Sequence, residues 1–192
     1  STDVALVDGT IALSSDQIVG HYPVSVPMVE LHTIGAGGGS IAWVDEGGLL
    51  RVGPRSAGAD PGPACYGKGG NDFTVTDANL VLGYLPDGLR LGKIRLDRKR
   101  SFRALECLAV DLPGLDEVEV AKGVLQVANE LMQQALRVIS IAKGLDPRGF
   151  TLVSYGGAGG LHVCALAEHL EITRALVPAH AGVLSALGMI CA

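Results

Sequence analysis

Residues 116–143 constrain the fold more than any other stretch. Val124, Leu125, Ala128, Leu131, Met132, Ala135, Leu136 and Ile139 recur at three- and four-residue spacing, so a helix over this span carries one broad apolar face. A face that wide has to lie across a sheet. Asp116 and Glu119 form a D-x-x-E start that resembles a capping box, and Gly144 is placed to close the helix in the left-handed conformation. Beyond Asp146-Pro147 the pattern alternates. An apolar run at 150–155, predicted as a buried strand, leads into a glycine turn at 156–160 and a helical stretch at 161–170. A short apolar run at 175–177 and a helix from Gly182 onward follow. Alternation of this kind predicts parallel strands covered by helices, the α/β arrangement.

The first half reads differently. Residues 24–34 alternate as a strand, and 40–44 and 49–52 flank the turn Asp45-Glu46-Gly47-Gly48 as a hairpin. Residues 53–71 are rich in Gly and Pro and lack periodicity, and loops of that length inside compact domains usually carry function. Helices are predicted over 77–85, with Thr76 as N-cap, and over 97–110, closed by Pro113-Gly114. The organisation is one unit, β-rich over 1–95 and helical with a βαβα end over 96–192. The predicted architecture is a mixed β-sheet flanked by helices.

Of 192 residues 48% are hydrophobic and 18% charged, enough for a sizeable core. Acids and bases are interspersed at a formal net charge of -5, which argues against a nucleic-acid surface; the basic run at 95–103 reads as a solvated helix face. Cys65, Cys107, Cys164 and Cys191 are widely spaced, with no C-x-x-C pair and no zinc-ligand spacing, and a reducing cytoplasm fits them best. No apolar run reaches the ~18 residues of a membrane span. Both ends fall in apolar sequence, so the chain is expected to be an internal piece of a longer polypeptide.

The chain has 27 glycines, most of them clustered. Two clusters follow predicted strands: 35–39, between Thr33 and Ser40, and 156–160, after Ser154-Tyr155. Two readings of each stay open. Glycine at a strand end serves a tight turn, and it also lets backbone N–H groups approach a phosphate. The second cluster fits neither G-x-G-x-x-G nor the Walker pattern, and no H-E-x-x-H or G-x-S-x-G occurs. His32 is the titratable group nearest the first cluster, and Asp77 is either a helix-start residue or a catalytic acid. Cys65, in the long loop, lacks an identifiable base partner.

Taken together, Glu30-Leu31-His32-Thr33-Ile34-Gly35-Ala36-Gly37-Gly38-Gly39-Ser40, then Val52-Gly53-Pro54-Arg55-Ser56-Ala57-Gly58-Ala59-Asp60-Pro61-Gly62-Pro63-Ala64-Cys65-Tyr66-Gly67, then Thr74-Val75-Thr76-Asp77-Ala78 resemble the central signature of the hydantoinase A / 5-oxoprolinase family. Tyr155-Gly156-Gly157-Ala158-Gly159-Gly160-Leu161-His162 resembles its later glycine motif. Glu30 stands where the family more often has Asp, and Gly160 where it often has Pro. The resemblance implies a lobe of an actin-like ATPase (ribonuclease H-like) fold, incomplete at its N-terminus. It implies ATP and Mg²⁺ as cofactors, with no metal ligand assigned. It further implies that Thr2 and Asp3 belong to the tail of a phosphate turn, and that Gly37, Gly38, Gly39, Gly156, Gly157, Ala158 and Gly159 line the nucleotide. His32 and Asp77 are the catalytic candidates. The implied activity is ATP-dependent opening of cyclic amides such as hydantoins or 5-oxoproline by phosphorylation of a carbonyl or enolate oxygen. The alternatives are the nucleotide-binding subunit of a ketone carboxylase, or a non-catalytic assembly module. The implied partners are the cyclic amide and a hydantoinase B-type subunit or domain, with no nucleic acid and no membrane.

Overall fold

The computed structural model describes residues 1–15, 17–19 and 22–191. The described residues up to 34 form an arm of short antiparallel strands: β1 (Thr2–Val4), β2 (Val7–Asp8), β3 (Thr10–Ile11), β4 (Leu13–Ser14), β5 (Gln17–Val19), β6 (Tyr22–Val24), β7 (Met28–Val29) and β8 (His32–Ile34). The pairs nest, β5 with β6, β4 with β7 and β1 with β8, while β2 and β3 make a small hairpin of their own. The single strand read over 24–34 is therefore the return side of this arm, interrupted around Pro27, which has no N–H to give a ladder.

The hairpin predicted next is present as β9 (Ser40–Val44) and β10 (Leu50–Ser56). Asp45 Oδ1 closes its turn by accepting from the Gly47 and Leu49 amides at 3.0 and 2.9 Å. Then comes the Gly/Pro loop, ordered around a short 3-10 turn, Ala64–Tyr66.

Helix α1 (Val75–Val81) follows, starting two residues before the predicted span and ending four residues before its end. Its N-cap is Thr74, not Thr76: the Thr74 side chain and Asp77 form a reciprocal capping box. After the small hairpin β11 (Arg90–Leu91) and β12 (Ile94–Arg95), α2 (Arg98–Ala109) begins at its N-cap Asp97. Helix α3 (Glu117–Ile139) has the predicted capping box from Asp116 and Glu119. A short 3-10 turn, Ile141–Lys143, ends in left-handed Gly144.

Helix α3 is the spine of the molecule. Its first half, through Val120, Ala121, Val124 and Ala128, packs into the main core with Val75 and Ala78 of α1, Leu105 of α2, and Ala42 and Val52 of the β9–β10 hairpin. Its second half, through Ala135 and Ile139, packs on Val4, Leu6 and Ile34 at the base of the arm. Leu131 of the predicted apolar face is only half-buried, because the face that meets the core runs through Met132 instead.

The βαβ unit is present in shortened form. Strand β13 (Leu152–Val153), helix α4 (Val163–His169) and strand β14 (Ala175–Leu176) follow in order, with β13 and β14 parallel. Helix α5 (Leu184–Cys191) closes the described chain. The run at 150–155 is not the buried strand its composition suggests: only two of its residues are strand, and Val153 is 45% exposed. Nor is there one continuous mixed sheet. Among the described residues the strands form separate two-stranded pairs, and β9 adds only an isolated bridge from Ile41 to Thr74 on its other edge. No helix among them is long and apolar enough to cross a membrane.

If α1, α2 and α3 carry the stability, Leu105→Ala should destabilise by about 2–5 kcal/mol, the cost of a core cavity, and Leu131→Ala by clearly less. The shift of the urea midpoint at constant slope measures both.

Candidate functional site

The two glycine clusters, more than a hundred residues apart in sequence, meet in space. A methyl group built on Gly38 would lie 3.6 Å from the Ala158 methyl and 2.8 Å from Thr76 Oγ1. One built on Gly37 would lie 3.0 Å from the Ser1 nitrogen. A side chain at Gly38 would therefore collide with α1, and glycine is what allows the close approach. The first cluster is held by hydrogen bonds to its carbonyls. Thr76 gives both its N–H and its hydroxyl to Gly38 O, each at 2.8 Å, and Thr2 Oγ1 donates to Ala36 O at 2.6 Å. Ser40 Oγ accepts from Gly37 N at 3.0 Å.

The long loop joins the same place. Ala57 N donates to Gly39 O at 2.9 Å, and Ser56 pairs with Ser40 at the end of the hairpin. Gly53 adopts a φ of +69°, and a methyl there would fall 2.7 Å from Gly35 O. The start of the loop thus lies against residues 35–40.

The glycine turn itself is open. Gly156, Gly157 and Gly160 are exposed, while Ala158 and Gly159 are partly covered. Gly156 N donates to Ala181 O at 2.8 Å. Among the described residues the N–H groups of Gly38, Gly39, Gly157 and Ala158 have no acceptor. Two loops so close that a single methyl on Gly38 would reach the Ala158 methyl, both carrying free backbone donors, suit an anionic ligand.

Asp3, on β1, is exposed, and its Oδ1 accepts from Thr33 Oγ1 at 2.6 Å across the strand pair. His32 sits further down β8, opposite Val4, and no hydrogen bond among the described residues joins its ring to either glycine cluster. Proximity in sequence does not carry it into the site. Asp77 is fully buried, and its carboxylate accepts five hydrogen bonds: from Ala64 N, Cys65 N, Thr74 N, Thr74 Oγ1 and Ser101 Oγ, at 2.7–3.2 Å. Its oxygens are spent on fixing the loop and both helices. That is the helix-start role, extended to a clamp.

Cys65 is fully buried beside Asp77, and burial together with the neighbouring negative charge pushes its thiol far above the ordinary range. It is a core residue and no nucleophile. The residue that loop-by-loop reading passed over is His162, the last of the glycine motif. Its ring is 2% exposed, Nδ1 lies 2.8 Å from Asn129 Oδ1 on α3, and burial lowers its pKa below 6.5.

The arrangement, an α/β lobe with two glycine loops facing each other beside a long helix, is that of the actin-like ATPase class. The hydantoinase/oxoprolinase family model matches residues 1–192, and the chain belongs to that family. It is 46% identical to the caprolactamase subunit alpha of Pseudomonas jessenii over 99% of this chain and 28% of that subunit. The crystal structure of the ATP-dependent caprolactamase from that organism superposes with a TM-score of 0.84 at 47% identity, over 93% of this chain and 26% of that one. A nucleotide-free acetone carboxylase superposes with a TM-score of 0.86 at 35% identity, over 97% of this chain and 27% of that one. The chain thus spans about a quarter of the length of these relatives.

Two measurements check this description. Under a thiol reagent Cys65 should stay unmodified in the folded protein and react only on unfolding, whereas exposed Cys107 and Cys164 react at once. For His162 the unfolded imidazole takes up a proton near 6.5 and the folded one only at lower pH, so stability is complete above 6.5 and falls as pH drops below it. The melting temperature of His162→Gln should lack that part of the acid loss.

Proposed function

We propose that the chain forms one side of the nucleotide site of an ATP-dependent enzyme that opens cyclic amides, of which the hydantoins, 5-oxoproline and larger lactams are the substrate class. The observation that carries the reading is the close approach of the two glycine loops at Gly38 and Ala158, with unsatisfied N–H groups on both. The names of the relatives, one a caprolactamase described as ATP-dependent, support the choice of nucleotide and of amide.

The chemistry follows from the bond. Resonance makes an unstrained lactam a poor electrophile, and ATP supplies the phosphoryl group that turns its oxygen into a leaving group. The residues of this chain bind and orient. The amides of Gly38, Gly39, Gly157 and Ala158 are the donors to phosphate oxygens, and Thr2 and Thr76 hold the first loop by its carbonyls so that those amides stay in place. Such a site works by positioning and charge neutralisation.

Mg²⁺ is ordinarily held by phosphates with one or two carboxylates. Exposed Asp3, on the strand that Gly37 touches through Ser1, suits that role and would hold the ion from the protein side. A partner subunit of the hydantoinase B type belongs to the same reading, since the similar caprolactamase chain is called a subunit. The catalytic base is sought outside Asp77, whose oxygens are committed.

The test uses the protein purified with its co-purifying partners. ADP release should depend on Mg²⁺ and on a cyclic amide, screened over 5-oxoproline, hydantoin and caprolactam, and Asp3→Asn should lower it by about tenfold or more. Release of ADP only with a ketone and bicarbonate would replace the hydrolase by a carboxylase. No ATP binding at all would leave an assembly module.

A further inference from the structure

The glycine turn cannot position itself. Residues 156–161 read Gly-Gly-Ala-Gly-Gly-Leu and carry no side chain able to hydrogen-bond. Whatever fixes the turn acts from its flanks. On the upstream side Ser154 is buried, and a methyl built on Gly159 would come within 2.5 Å of Ser154 Oγ, so the turn is pressed against that hydroxyl. No described residue bonds Ser154 Oγ. It packs against the turn and does not tether it.

On the downstream side stands His162, the first residue after the turn with a polar side chain. Its N–H donates to Gly159 O at 3.1 Å, and its carbonyl accepts from Leu166 N at 3.0 Å, so it joins the 3-10 turn to α4. Its ring crosses to α3, where Nδ1 meets Asn129 Oδ1. An amide oxygen only accepts, so Nδ1 carries the proton and Nε2 is left with a lone pair. No described residue donates to Nε2. The Asn129 bond is thus the one side-chain hydrogen bond by which the described residues tie this segment to the spine helix.

We propose that His162 is a positioning residue: through Asn129 it clamps the glycine turn to α3, and this clamp sets the affinity of the turn for nucleotide. The proposal rests on the nucleotide reading above and goes beyond it by naming a pair that touches no ligand. Helix α3 also packs on the base of the arm, next to the first glycine loop. The clamp therefore holds both loops to one rigid body and keeps Ala158 against Gly38.

The experiment compares Asn129→Leu, which keeps the branched shape and removes the acceptor, with Asn129→Asp, which keeps an acceptor at a position that is only partly buried. Both are made in the protein purified with its partners. Asn129→Leu should raise the KM for ATP by about five- to tenfold, the cost of one hydrogen bond, while kcat at saturating ATP stays within about twofold. Asn129→Asp should restore KM. Amide exchange of Leu161 and His162, whose N–H groups are bonded to the Ala158 and Gly159 carbonyls, should speed up in the Leu variant and stay at the unmodified protein's rate in the Asp variant. Where Asn129→Leu does not fold, Asn129→Ser should move KM and exchange in the same direction. Unchanged exchange in the folded Leu or Ser variant would overturn the clamp whatever the ligand. Faster exchange with an unchanged KM would overturn the link to nucleotide. A protein that consumes and binds no ATP would sink the functional reading, which the exchange data alone do not decide.

Discussion

A carboxylate with no solvent contact must be fully hydrogen-bonded, because each unsatisfied polar group in a core costs about 1–3 kcal/mol. Asp77 meets that demand with donors from three segments: Ala64 and Cys65 in the Gly/Pro loop, Thr74 at the start of α1, and Ser101 in α2. Its neighbour Thr76 grips Gly38. The position of the first glycine loop therefore follows from the position of Asp77 through one peptide bond. Charge-assisted bonds of this number and shortness order a loop that has no periodicity to order it.

The rest of the molecule divides the work between stiff and soft parts. Two-stranded pairs are marginal in water when isolated, and nearly all the strands here are two or three residues long. Stability lies instead with α1, α2 and α3, whose Val75, Leu105, Val120 and Val124 exclude solvent completely. Helix α3 meets the main core at one end and the base of the arm at the other. The glycine loops are thus carried on a rigid frame although each is locally weak, a division that suits a site needing fixed donors and open access.

What was legible in the sequence was local. The capping box of α3, the Asp45 turn and the closing Gly144 follow from residues within a few positions of one another. The true start of α1 was legible too: Thr74 and Asp77 have the capping-box spacing, and it was the nearer Thr76 that distracted. The arm was not, because the pairing of β1 with β8 spans thirty residues and its strands are too short to show a period. The alternation expected of a continuous sheet failed for a related reason. Val153 is apolar like a buried strand residue yet 45% exposed, since hydropathy cannot say how many neighbours a strand has. For the site, the two clusters were visible and their contact was not. The His162–Asn129 bond joins residues 33 apart through a ring that reads, in sequence, as the tail of a motif.

The donors of the proposed site are backbone amides on glycines, and that choice has a consequence for specificity. An amide cradle recognises phosphate oxygens and is indifferent to the acceptor that receives the phosphoryl group. This fits the resemblance of one fold to both an ATP-dependent caprolactamase and an acetone carboxylase, at TM-scores of 0.84 and 0.86, whose names state different reactions. On the proposed reading, the part of the enzyme described here holds and orients the nucleotide, and discrimination between a lactam and a ketone arises from side chains that face the acceptor. The glycine turn offers none, Asp77 and Cys65 are sealed in the core, and Thr2 and Thr76 are engaged in holding the first loop. On that reading, variation among relatives in the acceptor should leave the two glycine loops, the Asp77 clamp and the His162 tether untouched, because these serve the frame and the phosphate and do not face the acceptor.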